Sequence, residues 1–396
     1  MSVAGQEVHI KKRMLRVGSV VLVSLLLLFL SYSGHAFGEE EKPGDTVQKP
    51  AVSAESAVVI DHRTGRILYS KGMHQKGFIA STTKIMTAII AIEEGRLNEV
   101  VTVSERAAST GGSSIWLEAG ERKTLEELLY GLMLRSGNDA AIAIAEHIGG
   151  TVEEFVALMN EKACEIGATN TVFKNPHGLH HEQHYSTAYD LSLIASYAME
   201  NETFRHIVGA PRAIISWPEH EWDRILHNQN RLLRLYEGAD GIKTGWTTPA
   251  GRCFAGSASR EGQRLITVVL NAPDMWEDVQ LLLDYGFTAY KEEILIAAGQ
   301  IIKMVQVEKG VQQQGTATAD SNFYYPLAAD ELSDVRYKFH LREPYRAPLK
   351  EGQKIGTLEI QFQDEIIGSV DLVAGEGVRR APFYRSLLEL WEKVMN

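Results

Sequence analysis

Ser81 and Lys84 stand three residues apart in Ala80-Ser81-Thr82-Thr83-Lys84, directly ahead of a run in which Ile85, Ala88, Ile89 and Ile92 recur at helical spacing. On the first turn of a helix that interval puts a hydroxyl and an amine on one face, where they can meet. A serine hydroxyl needs a base beside it before it attacks a carbonyl. A lysine serves as that base when burial and nearby positive charge favour its neutral form. The helix N-terminus adds backbone N–H groups for a developing oxyanion. The chemistry is acyl transfer. Taken alone, the pair reads equally as a helix-capping serine beside a surface lysine.

Two further segments change the balance. Ser136-Gly137-Asn138 falls in a short break between two apolar helical patterns, and Lys243-Thr244-Gly245 opens a strand-like stretch. Each places hydroxyl, amide or ammonium groups where the chain turns, and the order and separation of the three segments suit one catalytic domain. The thirteen histidines invite a metal reading, with His180, His181 and His184 densest. The segment His181-Glu182-Gln183-His184 is one residue short of the H-E-x-x-H zinc pattern, so its histidines fall on different helical faces. They are read as structural loop residues, with no metal and no organic cofactor.

The elements that must position these groups follow from periodicity. Ser56 to Tyr69 reads as a hairpin around Asp61-His62-Arg63-Thr64-Gly65. Helices are expected from Ser81 to Glu94, Thr124 to Leu134, Asp139 to Ile148 and Val152 to Gly167. Cys253–Ala258 and Arg264–Leu270 read as antiparallel strands joined by Glu261-Gly262, followed by a helix from Met275 to Tyr285. Strands open and close the region with helices between, which predicts an α+β fold: one antiparallel sheet built from both ends and packed against helices. Beyond Tyr290, short strands at Ile301–Val307, Val335–Leu341, Lys354–Phe362 and Ile366–Val373 predict a small all-β domain. The expected organisation is a signal peptide at 1–36, a leader at 37–52, a catalytic domain at 53–290, the all-β domain at 291–378 and an amphipathic helix at 379–396.

The net charge of −11 argues against nucleic acid as the main partner. Lys11, Lys12, Arg13 and Arg16 precede an apolar core through Tyr32 and the small residues of Gly34-His35-Ala36, the layout of a secretory signal. Export to the outer face of the cytoplasmic membrane, or secretion, follows. At the other end Phe383, Leu387, Leu390, Trp391 and Val394 share a helix face, read as a membrane-surface anchor. Cys164 and Cys253 are read as two buried free thiols.

Ser-x-x-Lys, Ser-Gly-Asn and Lys-Thr-Gly in this order resemble the signature shared by class A β-lactamases and penicillin-binding proteins. The chain resembles more specifically the D-alanyl-D-alanine carboxypeptidases among the low-molecular-mass penicillin-binding proteins. Leu134–Ala141, with Gly137 where β-lactamases usually carry Asp, supports this, as do Asn175–Leu179, His184–Ala188 and Asp240–Gly245. The resemblance implies that Ser81 attacks the D-Ala-D-Ala carbonyl and Lys84 takes its proton. It implies that Ser136 relays a proton to the leaving nitrogen and that Asn138 holds Lys84 and the substrate. Lys243 keeps the site's lysine proton-poor, Thr244 binds the terminal carboxylate, Gly245 completes the motif, and the N–H groups of Ser81 and Trp246 form an oxyanion hole. Peptidoglycan stem peptides would be the substrate and β-lactams the inhibitors. Two alternatives remain: a β-lactamase, for which no convincing E-x-x-L-N segment lies between Ser136 and Lys243, and a non-catalytic wall-binding protein.

Overall fold

The computed structural model describes residues 47–217 and 220–382. The expected signal peptide, most of the leader and the apolar face of the C-terminal helix lie outside the described residues.

The hairpin forms as expected. Strand β1 (Ser56–Asp61) pairs antiparallel with β2 (Ile67–Lys71). Helices α1 (Lys84–Glu94), α2 (Leu125–Leu134), α3 (Asn138–Gly149), α4 (Val152–Ile166) and α5 (Ala188–Glu200) follow. The chain then returns to the sheet as β3 (Ala239–Thr247), β4 (Gly251–Arg260) and β5 (Gln263–Leu270), and ends the region with α6 (Met275–Ala289). The five strands form one antiparallel sheet in the order β2-β1-β5-β4-β3. The first and last parts of the region therefore pair at its centre, and β3 is an edge.

Both faces of this sheet are covered, so β1 is buried along its whole length. Its residues still alternate as a strand must. Val58 and Ile60 enter the core shared with α1 to α5, whereas Ala57 and Val59 enter the core under α6. Thr124 caps α2 through a reciprocal capping box with Glu127, which fixes where that helix begins.

Among the described residues beyond Tyr290, the regular elements are strands apart from one short turn of 3-10 helix. Lys291–Ile296 pairs with Phe323–Leu327, and a six-stranded sheet contains Val335–Leu341, Lys354–Phe362 and Glu365–Ala374. In Lys354–Phe362 the alternating Leu358, Ile360 and Phe362 are buried. Lys291–Ile296, Gln314–Ala319 and Phe323–Leu327 were not expected. Gln314–Ala319 holds Gly and Ala where strand formers are usual, and Phe323–Leu327 contains Pro326. Arg66 joins the two regions: it hydrogen-bonds the Pro326 carbonyl and reaches Glu331 at 2.6 Å, with its guanidinium over the Tyr290, Tyr325 and Phe362 rings.

Three expectations are corrected. Cys164 is exposed, because it falls on the outer face of α4; it and the buried Cys253 are both free thiols. Arg379–Ala381 does not begin a helix, since its backbone pairs in extended form with Lys309–Val311. Val52 is buried and its carbonyl accepts from Lys71, so the end of the presumed leader packs on the fold. No helix among the described residues is long and apolar enough to cross a membrane.

Candidate active site

Ser81 does not sit on an α-helical turn. Ala80–Thr83 form a 3-10 turn and the α-helix starts at Lys84. The cause is local. The Thr82 hydroxyl donates to the Ile79 carbonyl at 2.6 Å and the Thr83 hydroxyl to Ala80 at 2.7 Å, tightening the chain into i+3 closure. A 3-10 turn eclipses residues three apart. Lys84 Nζ accordingly lies 3.1 Å from Ser81 Oγ. The helix-cap alternative fails on two counts: no side-chain cap bond is made at this terminus, and Lys84 is wholly buried.

Lys84 Nζ makes two further bonds, to Asn138 Oδ1 at 2.7 Å and to the His177 carbonyl at 2.7 Å. All three acceptors are neutral. Burial, and then the charge of Lys243, hold the Lys84 amine well below the ordinary lysine range. Lys243 is also buried, and burial brings its own ammonium down to about 7.

Ser136 sits on a strained stretch of backbone. It holds φ +62°, a left-handed conformation unusual for a side chain, in the break between α2 and α3, and it is buried. Asn138 opens α3. Its N–H donates to the Ser113 carbonyl at 2.7 Å and its Nδ2 to Gly111 at 2.8 Å. The third motif approaches from β3. A Cβ on Gly245 would stand 2.9 Å from the Ser81 nitrogen and 3.1 Å from that of Thr82, so only glycine lets this edge strand lie against the serine turn. Thr244 is half-buried beside it, and the Trp246 side chain is 64% exposed, so its indole does not pack into the fold.

Sequence reasoning missed how the surrounding loops are pinned. The loop carrying His177 is tied to the serine turn and α1 by three bonds: Lys84 donates to the His177 carbonyl, Thr87 to the Pro176 carbonyl at 2.6 Å, and His184 Nε2 to the Thr83 hydroxyl oxygen at 2.8 Å. Burial lowers the His184 imidazole to about 4 and, with Lys84 nearby, His177 to about 3, so both are neutral at pH 7. Gly178 closes the loop: a Cβ there would sit inside the Ala80 carbonyl. On the opposite side, buried Asp139 accepts from Ser114 Oγ at 2.6 Å and from the N–H groups of Ile115 and Leu117. The signal was present, as Thr83, Lys84 and Thr87 interrupt the apolar face of a helix, and Asp139 follows Asn138 in a helix otherwise rich in Ala and Ile.

A buried amine against a serine hydroxyl, ringed by neutral acceptors and a second lysine, is equipped for acyl transfer. The family profile for D-alanyl-D-alanine carboxypeptidases matches residues 44–274. The chain belongs to the D-alanyl-D-alanine carboxypeptidase family. Like the family, this carboxypeptidase is of the serine type. The C-terminal domain of penicillin-binding protein 5 matches residues 290–380. The D-alanyl-D-alanine carboxypeptidase DacF of Bacillus subtilis is 36% identical over 381 residues, covering 93% of this chain and 96% of its own. The D-alanyl-D-alanine carboxypeptidase DacC of Escherichia coli is 31% identical over 385 residues, covering 93% of each chain. The crystal structure of penicillin binding protein 5 from Haemophilus influenzae superposes with a TM-score of 0.68 at 29% identity, covering 84% of this carboxypeptidase and all of that chain.

Proposed function

We propose that the enzyme removes the terminal D-alanine from peptidoglycan stem peptides through an acyl-enzyme on Ser81. The observation that carries the reading is the hydrogen-bond set of Lys84. A neutral amine has two N–H donors and one lone pair. Asn138 Oδ1 and the His177 carbonyl take the two donors. The lone pair is left to accept the Ser81 proton across 3.1 Å.

The steps follow. Ser81 Oγ bonds to the carbonyl carbon of the penultimate residue as its proton passes to Lys84. The oxyanion is received by the N–H groups of Ser81 and Trp246. Ser136 relays the proton to the departing D-alanine nitrogen as the amide bond breaks, and water then cleaves the ester. Asn138 orients Lys84, while Lys243 and Thr244 hold the terminal carboxylate beside Gly245. Penicillin acylates the same serine. In this reading the N-terminal segment exports the enzyme to the outer face of the cytoplasmic membrane, and the apolar face from Phe383 to Val394 rests on the membrane surface.

Release of D-alanine from a pentapeptide tests this. The wild type should release it and Ser81→Ala should not. Equal release by both would remove Ser81 from the reaction. An acyl-enzyme with benzylpenicillin should persist, and its hydrolysis in well under a second would favour a β-lactamase instead.

A further inference from the structure

Of the chain's six tryptophans, Trp116 and Trp217 both contact Arg224, and Trp222 stands two residues ahead of it. Arg224 belongs to a hairpin of Arg212–Ile215 and Arg224–His227. Its guanidinium donates to the Trp116 carbonyl at 2.6 Å and lies 4.2 Å from the centre of the Trp217 ring. That ring stacks on His220 at 4.0 Å, and His220 Nε2 meets Glu118 at 3.1 Å. The hairpin turn and the loop of Trp116 are thus joined at two points. Trp116 is 71% exposed and Trp222 64%. Neither indole makes a hydrogen bond or a ring contact among the described residues.

The exposure of Trp116 is built into its backbone. It holds φ +63°, a left-handed conformation that a bulky side chain rarely adopts. Its N–H donates to Ser114 Oγ at 2.7 Å, and Arg224 holds its carbonyl. On either side the N–H groups of Ile115 and Leu117 donate to Asp139, and both of those side chains are buried. The fold therefore maintains a strained residue whose large apolar side chain faces water, the kind of outlier that marks a ligand contact. The same loop meets the catalytic centre, because Asn138 donates to the Gly111 and Ser113 carbonyls. From Ser113 to Trp116 the chain spans at most about 11 Å.

A free indole face is negative and attracts the polarised C–H groups of a sugar ring. Among the described residues of 113–118 and 216–223 the ionisable groups are Glu118, His220, Glu221 and Asp223, all exposed. The excess is negative, which opposes an anionic lipid surface and leaves a neutral, hydroxyl-rich ligand unopposed. Peptidoglycan contains one, since each stem peptide hangs by its N-terminal end from a glycan strand. Four stem residues upstream of the scissile bond span at most about 14 Å, which brings the glycan within range of Trp116. We propose that Trp116 and Trp222 form a stacking platform for the neutral, N-acetylated sugars of that strand, an inference that rests on the stem peptide being the substrate. Glu221, which makes no side-chain bond among the described residues, accepts from a sugar hydroxyl.

Two measurements test this. The first is calorimetric binding of stem-free glycan strands to Ser81→Ala, which needs no turnover. Adding Trp116→Ala should weaken that binding about tenfold, the scale of a lost aromatic contact, and adding Trp222→Ala should weaken it less. The second is kcat/KM for D-alanine release from a pentapeptide, either free or carried on glycan. The ratio of carried to free should be about ten in the wild type and about one in Trp116→Ala, whose value for the free peptide should stay within about twofold of the wild type. Ile214→Thr with Ile225→Thr removes the hairpin's exposed cross-strand pair and should change neither result. Equal ratios in the wild type and Trp116→Ala, glycan binding that Trp116→Ala leaves unchanged, or a loss confined to binding of phosphatidylglycerol vesicles would overturn the platform and leave the carboxypeptidase reading intact. A loss from the isoleucine variant equal to that from Trp116→Ala would also overturn it, in favour of a protein partner on the whole apolar face. A wild type that releases D-alanine from neither substrate would overturn the carboxypeptidase reading, while the binding of stem-free glycan would still decide the platform.

Discussion

Lys84 and Lys123 are both buried in the same region, yet their surroundings are opposites. Lys123 lies between two carboxylates, Glu121 at 3.3 Å and Glu127 at 3.8 Å, and bonds Ser216 Oγ at 2.8 Å. Arg224 closes the cluster with Glu121 at 2.6 Å and with the Trp116 carbonyl. Burial alone would raise the Glu121 carboxyl, but bonds from Arg224 and the Glu118 N–H hold it below its usual value. Lys84 hydrogen-bonds only neutral groups, and burial with the charge of Lys243 outweighs the opposing pull of the Asp139 carboxylate. A buried lysine beside carboxylates ties elements together. A buried lysine beside neutral acceptors and another lysine gives its proton up, which is what a general base requires.

The largest expected effect breaks the catalytic side of this contrast. Lys84→Met should lower the rates of D-alanine release and of penicillin acylation about a thousandfold, the scale of a lost general base. Far-ultraviolet circular dichroism on the same sample should show the native fold. A variant that still acylates within tenfold of the wild type would mean that another group takes the Ser81 proton.

Lys123→Met should do the reverse. It leaves Glu127 without its cation and Glu121 with Arg224 alone, so urea unfolding should show a loss on the order of 3 kcal/mol. Acylation per folded molecule should remain within about threefold of the wild type. A loss of acylation matching that of Lys84→Met would show that the two lysines are not separable.

How much of this contrast was visible beforehand depends on the range of the interactions. The catalytic serine and lysine were legible because they lie three residues apart and the other two motifs accompany them in order. The α+β architecture was legible because β1, β4 and β5 carry strand periodicity. The Lys123 cluster was not, because its members come from residues 121, 127, 216 and 224, which are joined only by folding. The same holds for the loop pinned by Thr83, Thr87 and His184. Its bonds run from side chains to distant carbonyls and to a distant imidazole, and such bonds leave no periodicity. The 3-10 turn at Ser81 was missed for a different reason: the i, i+3 interval suits both helix types, and two threonine hydroxyls decided between them.

The smallest expected effect is a shift in a pH profile, and it sharpens the contrast from within the catalytic pair. Lys243 titrates at about 7 in the free enzyme because it is buried. Its charge is therefore present below that pH and lost above it. In the proposed mechanism that charge both attracts the terminal carboxylate and keeps Lys84 proton-poor. The profile of kcat/KM, which reports the free enzyme, should accordingly fall on its basic side as pH rises through about 7. Once substrate is bound, a carboxylate beside Lys243 favours the ammonium and raises its pKa. The profile of kcat should then hold to higher pH, with its basic limb displaced upward by about one unit or more. A substrate whose terminal carboxylate is amidated supplies no anion, so the displacement should vanish for it. Coincident basic limbs for the acid substrate would show that the carboxylate does not bind at Lys243, and Lys84 would then owe its lowered pKa to burial and not to a partner that substrate can modulate.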